Sequence, residues 1–175
     1  GFPPAAVTTL VLQPRTLPVS YEYVGQTAGS KEVEVRARVT GILEKRFFAE
    51  GAPVKAGQPL FLIDPKPLEA QAAAADAEVA RARAQLTQAE REVARLKPLA
   101  ERRAIGQKEA DDAISNAELA RAALKSAEAR LAEVNLSLGY TRVNAPIAGL
   151  SSRANKSEGS LVNANETLLT MISQV

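Results

Sequence analysis

Residues 33–63 read VEVRARVTGILEKRFFAEGAPVKAGQPLFLI, and residues 141–171 read TRVNAPIAGLSSRANKSEGSLVNANETLLTM. A shift of 108 positions lays the second stretch on the first without a gap. Val35 meets Val143, Ala37 meets Ala145, Gly41 meets Gly149, and Glu50-Gly51 meets Glu158-Gly159. Val54 then meets Val162, Ala56 meets Ala164, and Leu60 meets Leu168. The matches fall on glycines and on apolar positions of strand character. Val33, Val35, Ala37 and Val39 alternate with charged residues, the pattern of a half-buried strand. Gly41, Gly51 and Gly57 punctuate short apolar pieces at turn spacing, as in compact all-β structure. Each copy holds about three short strands, too few to bury a core alone. The copies therefore either pack on each other about a quasi-twofold axis or stand as two similar modules. The first arrangement is preferred because neither module could be stable by itself. It puts Gly41 and Gly149 in equivalent turns.

Between the copies the composition changes. No aromatic residue occurs between Phe61 and Tyr140, and Ala, Leu, Glu, Arg and Gln dominate. These are strong helix formers. Leu68, Ala72, Ala75, Val79, Ala82, Leu86, Ala89, Val93 and Leu96 follow at steps of four and three. Ala110, Ala113, Ala117, Ala120, Leu124, Ala127, Leu131, Val134 and Leu138 repeat the pattern. Two heptad seams joined by the short polar stretch 100–106 predict an antiparallel coiled-coil hairpin. Asp64-Pro65 supplies an N-cap and first helical position. Pro98 should end or kink the first helix, and Gly139 should give a left-handed cap to the second. Glu78 with Arg81, Glu92 with Arg95 and Glu118 with Arg121 are spaced for i,i+3 pairs.

The rest of the composition mostly excludes. With 22 basic and 20 acidic residues the net charge is +2, so no basic patch points to nucleic acid. His and Cys are absent, which removes the usual zinc sites, thiol catalysis and His acid–base chemistry. Met171 is the single methionine, which argues against soft-metal transport. No apolar run is long enough to span a bilayer. No catalytic, cofactor or metal site is expected. The carboxylate pairs Asp111-Asp112 and Glu90 with Glu92 read as solvated charges. Phe47 and Phe48 lie beside Lys45 and Arg46, yet without further aromatic–basic interleaving at least one Phe belongs in a core.

The turns Gly51-Ala-Pro-Val54-Lys-Ala-Gly57-Gln-Pro-Leu60 resemble those of the biotinyl/lipoyl fold. Val35-Arg-Ala-Arg-Val-Thr-Gly41, Leu62-Ile-Asp-Pro65 and Tyr140-Thr-Arg-Val-Asn-Ala-Pro-Ile-Ala-Gly149 are similar to segments of the periplasmic adaptor (membrane-fusion) proteins of tripartite efflux pumps, AcrA/MexA type. The resemblance runs through nearly the whole chain. It implies an α+β fold: a split biotinyl/lipoyl-like β domain with an inserted antiparallel coiled-coil helical hairpin. A mostly absent β-barrel would contribute an N-terminal strand segment, with Val7–Leu12 and Val19–Val24 as strands. The parts would be 1–30 (barrel-associated strands), 31–64 (first lipoyl-like half), 65–139 (hairpin) and 140–175 (second half). The family continues past the equivalent of Val175 into a barrel and a membrane-proximal domain. The chain is expected to be one part of such a protein.

The resemblance also implies partners and a site. The partners are an inner-membrane efflux transporter of resistance-nodulation-division type, an outer-membrane channel of TolC type, and further copies in a ring, expected to be a hexamer. The implied location is the periplasm, anchored to the inner membrane through an N-terminal lipid or segment absent from this sequence. In the family an Arg, a Leu four residues on and a Ser seven further on lie at the hairpin tip and engage the channel. The matching positions here are Arg95, Leu99 and Gly106, with Ile105 beside them. Gly106 departs from the family's Ser; Gly still serves as an N-cap but offers no side chain. Read without the resemblance, Arg95 is an exposed charge paired with Glu92 and Leu99 is the last knob of the seam. Two other functions compete. A lipoyl- or biotin-type carrier would need a modified lysine, but Lys66 sits in Asp-Pro-Lys-Pro at the start of a helix. A coiled-coil scaffold unrelated to transport would need no partner at all.

Overall fold

A computed structural model describes residues 1–25 and 29–174. Residues 26–28 and Val175, at the ends of the expected segments 1–30 and 140–175, lie outside the described residues. Four strands, β1 (Lys31–Arg36), β2 (Gly41–Arg46), β3 (Pro53–Val54) and β4 (Pro59–Ile63), precede two long helices, α1 (Lys66–Glu101) and α2 (Gln107–Gly139). Four more follow: β5 (Arg142–Asn144), β6 (Gly149–Ser151), β7 (Leu161–Val162) and β8 (Leu168–Gln174).

The two copies of the repeat do not form separate modules. One sheet has the order β1-β8-β6-β3 and the other β5-β4-β2-β7, so each takes strands from both copies. Exchanging each strand for its repeat partner converts one order into the other, which is the quasi-twofold relation in strand form. The hydrogen bonds between strands repeat with it. Leu43 N donates to Ser160 O at 2.9 Å, and its counterpart Ser151 N donates to Ala52 O at 3.0 Å. Gly57 N donates to Ala145 O at 2.8 Å, and Asn165 N to Ala37 O at 2.7 Å. Gly57 and Asn165 are repeat partners, and both have positive φ, 79° and 62°. Asn is among the few L-residues that tolerate this conformation, which is why the second copy does without the glycine. Gly41 and Gly149 also correspond, but each opens a strand instead of forming a turn. A Cβ on Gly41 would lie 2.7 Å from the Ile63 side chain, and one on Gly149 only 2.5 Å from the Ser173 carbonyl. Close approach of neighbouring chain is the reason for these glycines.

Val35, Leu43, Leu60, Phe61, Val162, Leu169 and Ile172 form the core between the sheets. Phe48 joins it edge-on to Phe61 at 5.2 Å, while Phe47 stays exposed. The hairpin is tied to this core by Leu68 and Tyr140, and the Arg38 guanidinium lies 3.6 Å from the Tyr140 ring centre.

Every residue of the two heptad series is buried or half-buried, and nearly every other residue of both helices is exposed. Val79, Ala82 and Ala127 form one buried cluster, with Leu124 and Leu131 against them. Four expectations about the hairpin are corrected. Pro98 does not end α1, which continues to Glu101. It removes one bond, to the carbonyl of Ala94, which lies on an exposed face. Gly139 is not left-handed; α2 closes instead with the Thr141 hydroxyl donating to Leu138 O at 2.7 Å. Arg121 does not pair with Glu118 but crosses to Glu90 at 2.9 Å. Pro65 precedes the helix instead of opening it, and Asp64 accepts the Lys66 amide at 3.0 Å.

Residues 1–25 contain no helix or strand and are exposed throughout. The segments 7–12 and 19–24, expected as strands of an adjoining barrel, pair with neither of the two sheets.

Candidate functional site at the hairpin tip

The seam positions the tip. α1 has 36 residues and α2 has 33, so at 1.5 Å per residue each arm is roughly 50 Å long. Ala at half of the seam positions lets the helices approach closely. Register is pinned across the seam by Arg121 with Glu90 and by Arg83 with Glu128 at 3.3 Å. Within the arms Arg81 pairs with Glu78, and Arg130 with Glu133 at 2.6 Å. The partnership raises the Arg81 pKa and lowers that of Glu78, chiefly through their hydrogen bond. The apex is thus held far from the β unit on a stiff support.

The structure separates the four expected tip residues into two levels. Arg95 stands below the apex on α1, its guanidinium bonded to Glu92 Oε1 at 2.5 Å. Leu99, Ile105 and Gly106 bracket the turn itself. Leu99 is 37% exposed and Ile105 is half-buried. Leu99 is therefore less enclosed than the seam leucines and presents part of its side chain to solvent. Gly106 is the N-cap of α2 with φ −68° and ψ 144°, an extended conformation open to any residue. A Cβ there would meet no atom within 4 Å, so a serine fits without adjustment. On the far side Lys108 bonds Asp112 at 2.6 Å, which raises the lysine pKa. Arg102 and Arg103, outside the four expected tip positions, occupy the turn. Their adjacency was visible in the sequence, but the left-handed backbone of Arg103, φ 56°, was not.

A concave feature lies at the base of the hairpin. A groove of about 750 Å³ runs between Phe47, Pro59 and Leu62 on one side and Pro65 and Leu138 on the other, with Arg142 at its rim. Lys66 is the exposed first residue of α1. Among the described residues no group of His, Cys, Asp and Glu is placed to hold a metal ion, and no helix is long and apolar enough to cross a membrane.

Residues 31–174 match the family described as RND MFP, barrel-sandwich hybrid domain. The chain belongs to the RND membrane-fusion proteins. The mixed α/β architecture, two helices with paired β-sheets, is that of the family. The efflux pump periplasmic linker BepD of Brucella suis is 41% identical over 99% of this chain and 44% of its own length. The membrane fusion protein MtrC of Neisseria gonorrhoeae is 38% identical over 94% of this chain and 40% of its own length. The chain thus spans less than half the length of these membrane-fusion proteins. The crystal structure of MacA from Actinobacillus actinomycetemcomitans superposes with a TM-score of 0.71 at 26% identity, covering 83% of this chain and 49% of that one.

Proposed function

We propose that this membrane-fusion protein is the periplasmic adaptor of a tripartite efflux pump. It links an inner-membrane transporter of resistance-nodulation-division type to an outer-membrane channel of TolC type. The observation that carries the reading is a stiff hairpin of about 50 Å projecting from a β unit that both halves of the chain build. A rigid arm on a self-contained base spans a distance and carries a contact, and it has no need of chemistry. The adaptor assigned here performs no catalysis and holds no cofactor. The names of BepD and MtrC, as periplasmic linker and membrane fusion protein, support the same role and a periplasmic location.

In the finer reading, residues 31–64 and 140–175 are the halves of one lipoyl-like domain and residues 65–139 are its inserted hairpin. Residues 1–30 lead into an adjoining barrel, and an N-terminal lipid or segment anchors the protein to the inner membrane. Copies assemble into a ring, a hexamer, through which substrate passes. Arg95, Leu99, Ile105 and Gly106 form the contact with the channel. Leu99 supplies exposed apolar surface beside the turn, and Arg95 supplies charge once Glu92 releases or shares it.

The test uses cells carrying the full-length protein, with a cysteine at the tip for crosslinking to the channel. Leu99→Asp and Arg95→Asp should lower both crosslinking and drug resistance. Arg95 is well exposed, and a substitution at such a site alters stability by only about 0.5 kcal/mol, so the loss in Arg95→Asp would not be a folding defect. Wild-type crosslinking and resistance in both variants would refute tip docking.

A further inference from the structure

The turn between the helices contains two adjacent arginines outside the four tip positions assigned above. α1 ends at Glu101 and Arg102 is its C-cap. Arg103 N donates to Ala100 O at 2.9 Å, and Ala104 N donates to Leu99 O at 2.9 Å. Those two bonds make a Schellman motif, in which the residue after the cap must be left-handed. That residue is Arg103, with φ 56°. Glycine is the usual occupant because a Cβ crowds the following carbonyl. Elsewhere the chain observes this preference: Gly51, Gly57 and Gly159 have positive φ, and Asn165 takes the remaining such position. Among the described residues Arg103 alone is neither Gly nor Asn.

Two of the neighbouring cations are already engaged, while Lys97, one level below the turn on α1, has no carboxylate within 4.0 Å among the described residues. Arg95 is bonded to Glu92 and Lys108 to Asp112. Among the described residues neither Arg102 nor Arg103 has a carboxylate within 4.0 Å, and both are exposed. A cation close to the negative end of a helix is favourable in itself, which accounts for Arg102. It does not account for Arg103, since a cation within the last turn of α1 would give the same benefit on relaxed backbone.

We propose that Arg102 and Arg103 are the charged specificity element of the tip and bind carboxylates on the mouth of the outer-membrane channel. The disfavoured backbone at Arg103 is retained because it carries a side chain at the apex. Guanidinium groups suit this partner, as their planar forks match carboxylates in bidentate geometry. Leu99 and Ile105 flank the pair with apolar surface, and arginine is among the residues enriched at energetic centres of protein interfaces. The inference rests on the tip-docking reading and adds to it the chemistry of the partner surface.

The experiment compares Arg103→Gly, Arg102→Gln with Arg103→Gln, and Leu99→Asp in the full-length protein. Crosslinking from a cysteine at Ala104 to the TolC-type channel of the same cells is measured alongside melting of each purified variant. Arg103→Gly should melt at or above the wild-type temperature, because glycine relaxes the turn, and should still lose crosslinking by about fivefold or more. The double Gln variant should lose as much, and its residual crosslinking should respond less to salt than that of the wild type. If Leu99→Asp abolishes crosslinking while Arg103→Gly and the double Gln variant keep it, this inference is overturned and tip docking stands. If all three keep it, tip docking itself fails. Crosslinking that moves from channel protein to lipid would likewise overturn the assignment of an acidic protein partner.

Discussion

At the scale of single residues, two kinds of constraint act on the repeat. Gly149 meets the backbone of β8, and a carbonyl cannot step aside as a side chain can. Gly149→Ala should therefore destabilise strongly, by about 2 kcal/mol or more in the range of overpacked sites. Gly41→Ala meets only a methyl of Ile63 and should cost less. Urea unfolding of the two variants checks the order. Glu50 and Glu158, also repeat partners, form the second constraint. Glu50 accepts the Ala154 amide at 3.0 Å, and Glu158 accepts the Arg46 amide at 2.9 Å, so each carboxylate fastens the opposite copy. The Ala154 amide, with Arg46 beside it, holds the Glu50 pKa below its ordinary value of 4.5. A depressed carboxylate pKa contributes stability that is present above the unfolded value and lost as pH falls through the folded one. Glu50→Gln should accordingly melt below the wild type at pH 7, and the gap should close as the pH drops below about 4.5.

At the scale of the element, the hairpin depends on one continuous seam. Its small side chains give close approach but little apolar area each, so the leucines and valines supply most of the burial. Leu86 and Leu124 both lie in the seam and are half-buried. Replacing both with Glu places charge in the joint, where each loses part of its hydration without a partner. Helicity by circular dichroism should fall sharply in the double variant. Arms of this length are not secured by propensity alone, because helix stability in proteins comes chiefly from packing of the apolar face. Unchanged helicity and melting would mean that the two arms do not support each other. The cross-helix pairs Arg121–Glu90 and Arg83–Glu128 are exposed and set register more than stability.

At the scale of the whole molecule, the chain crosses between sheets so that neither copy of the repeat is complete. A cut in the tip turn would leave two fragments, one with β1–β4 and α1, the other with α2 and β5–β8. They would remain joined by the seam and by the strand pairs β1·β8, β2·β7, β3·β6 and β4·β5. Brief trypsin treatment should cut at the exposed Arg102 and Arg103. The nicked protein should separate into two bands in denaturing gels yet migrate as one species, with native circular dichroism, under native conditions. Dissociation on nicking would show that the covalent tip, and not the intertwined base, holds the halves together.

Much of this architecture was legible in the residues themselves. The heptad spacing of Leu68 through Leu138 determined which faces of the helices meet, because a 3.6-residue period leaves one stripe able to pack. The offset of 108 likewise marked the two copies, and their small size required that they share a core. Which strand joins which sheet was not legible, since short strands of like pattern pair in several ways and only closure of the whole core selects one. The same holds for Gly149, whose need appears only when β8 is beside it, and for Asn165, which performs a glycine's part under another name. Arg121 could not be assigned to Glu90 before the register of the arms was known. The left-handed turn at Arg103 belongs to this class as well. Nothing in the residue types of 100–106 demands it, and it arises because two long arms with a fixed seam must be joined by whatever short stretch lies between them.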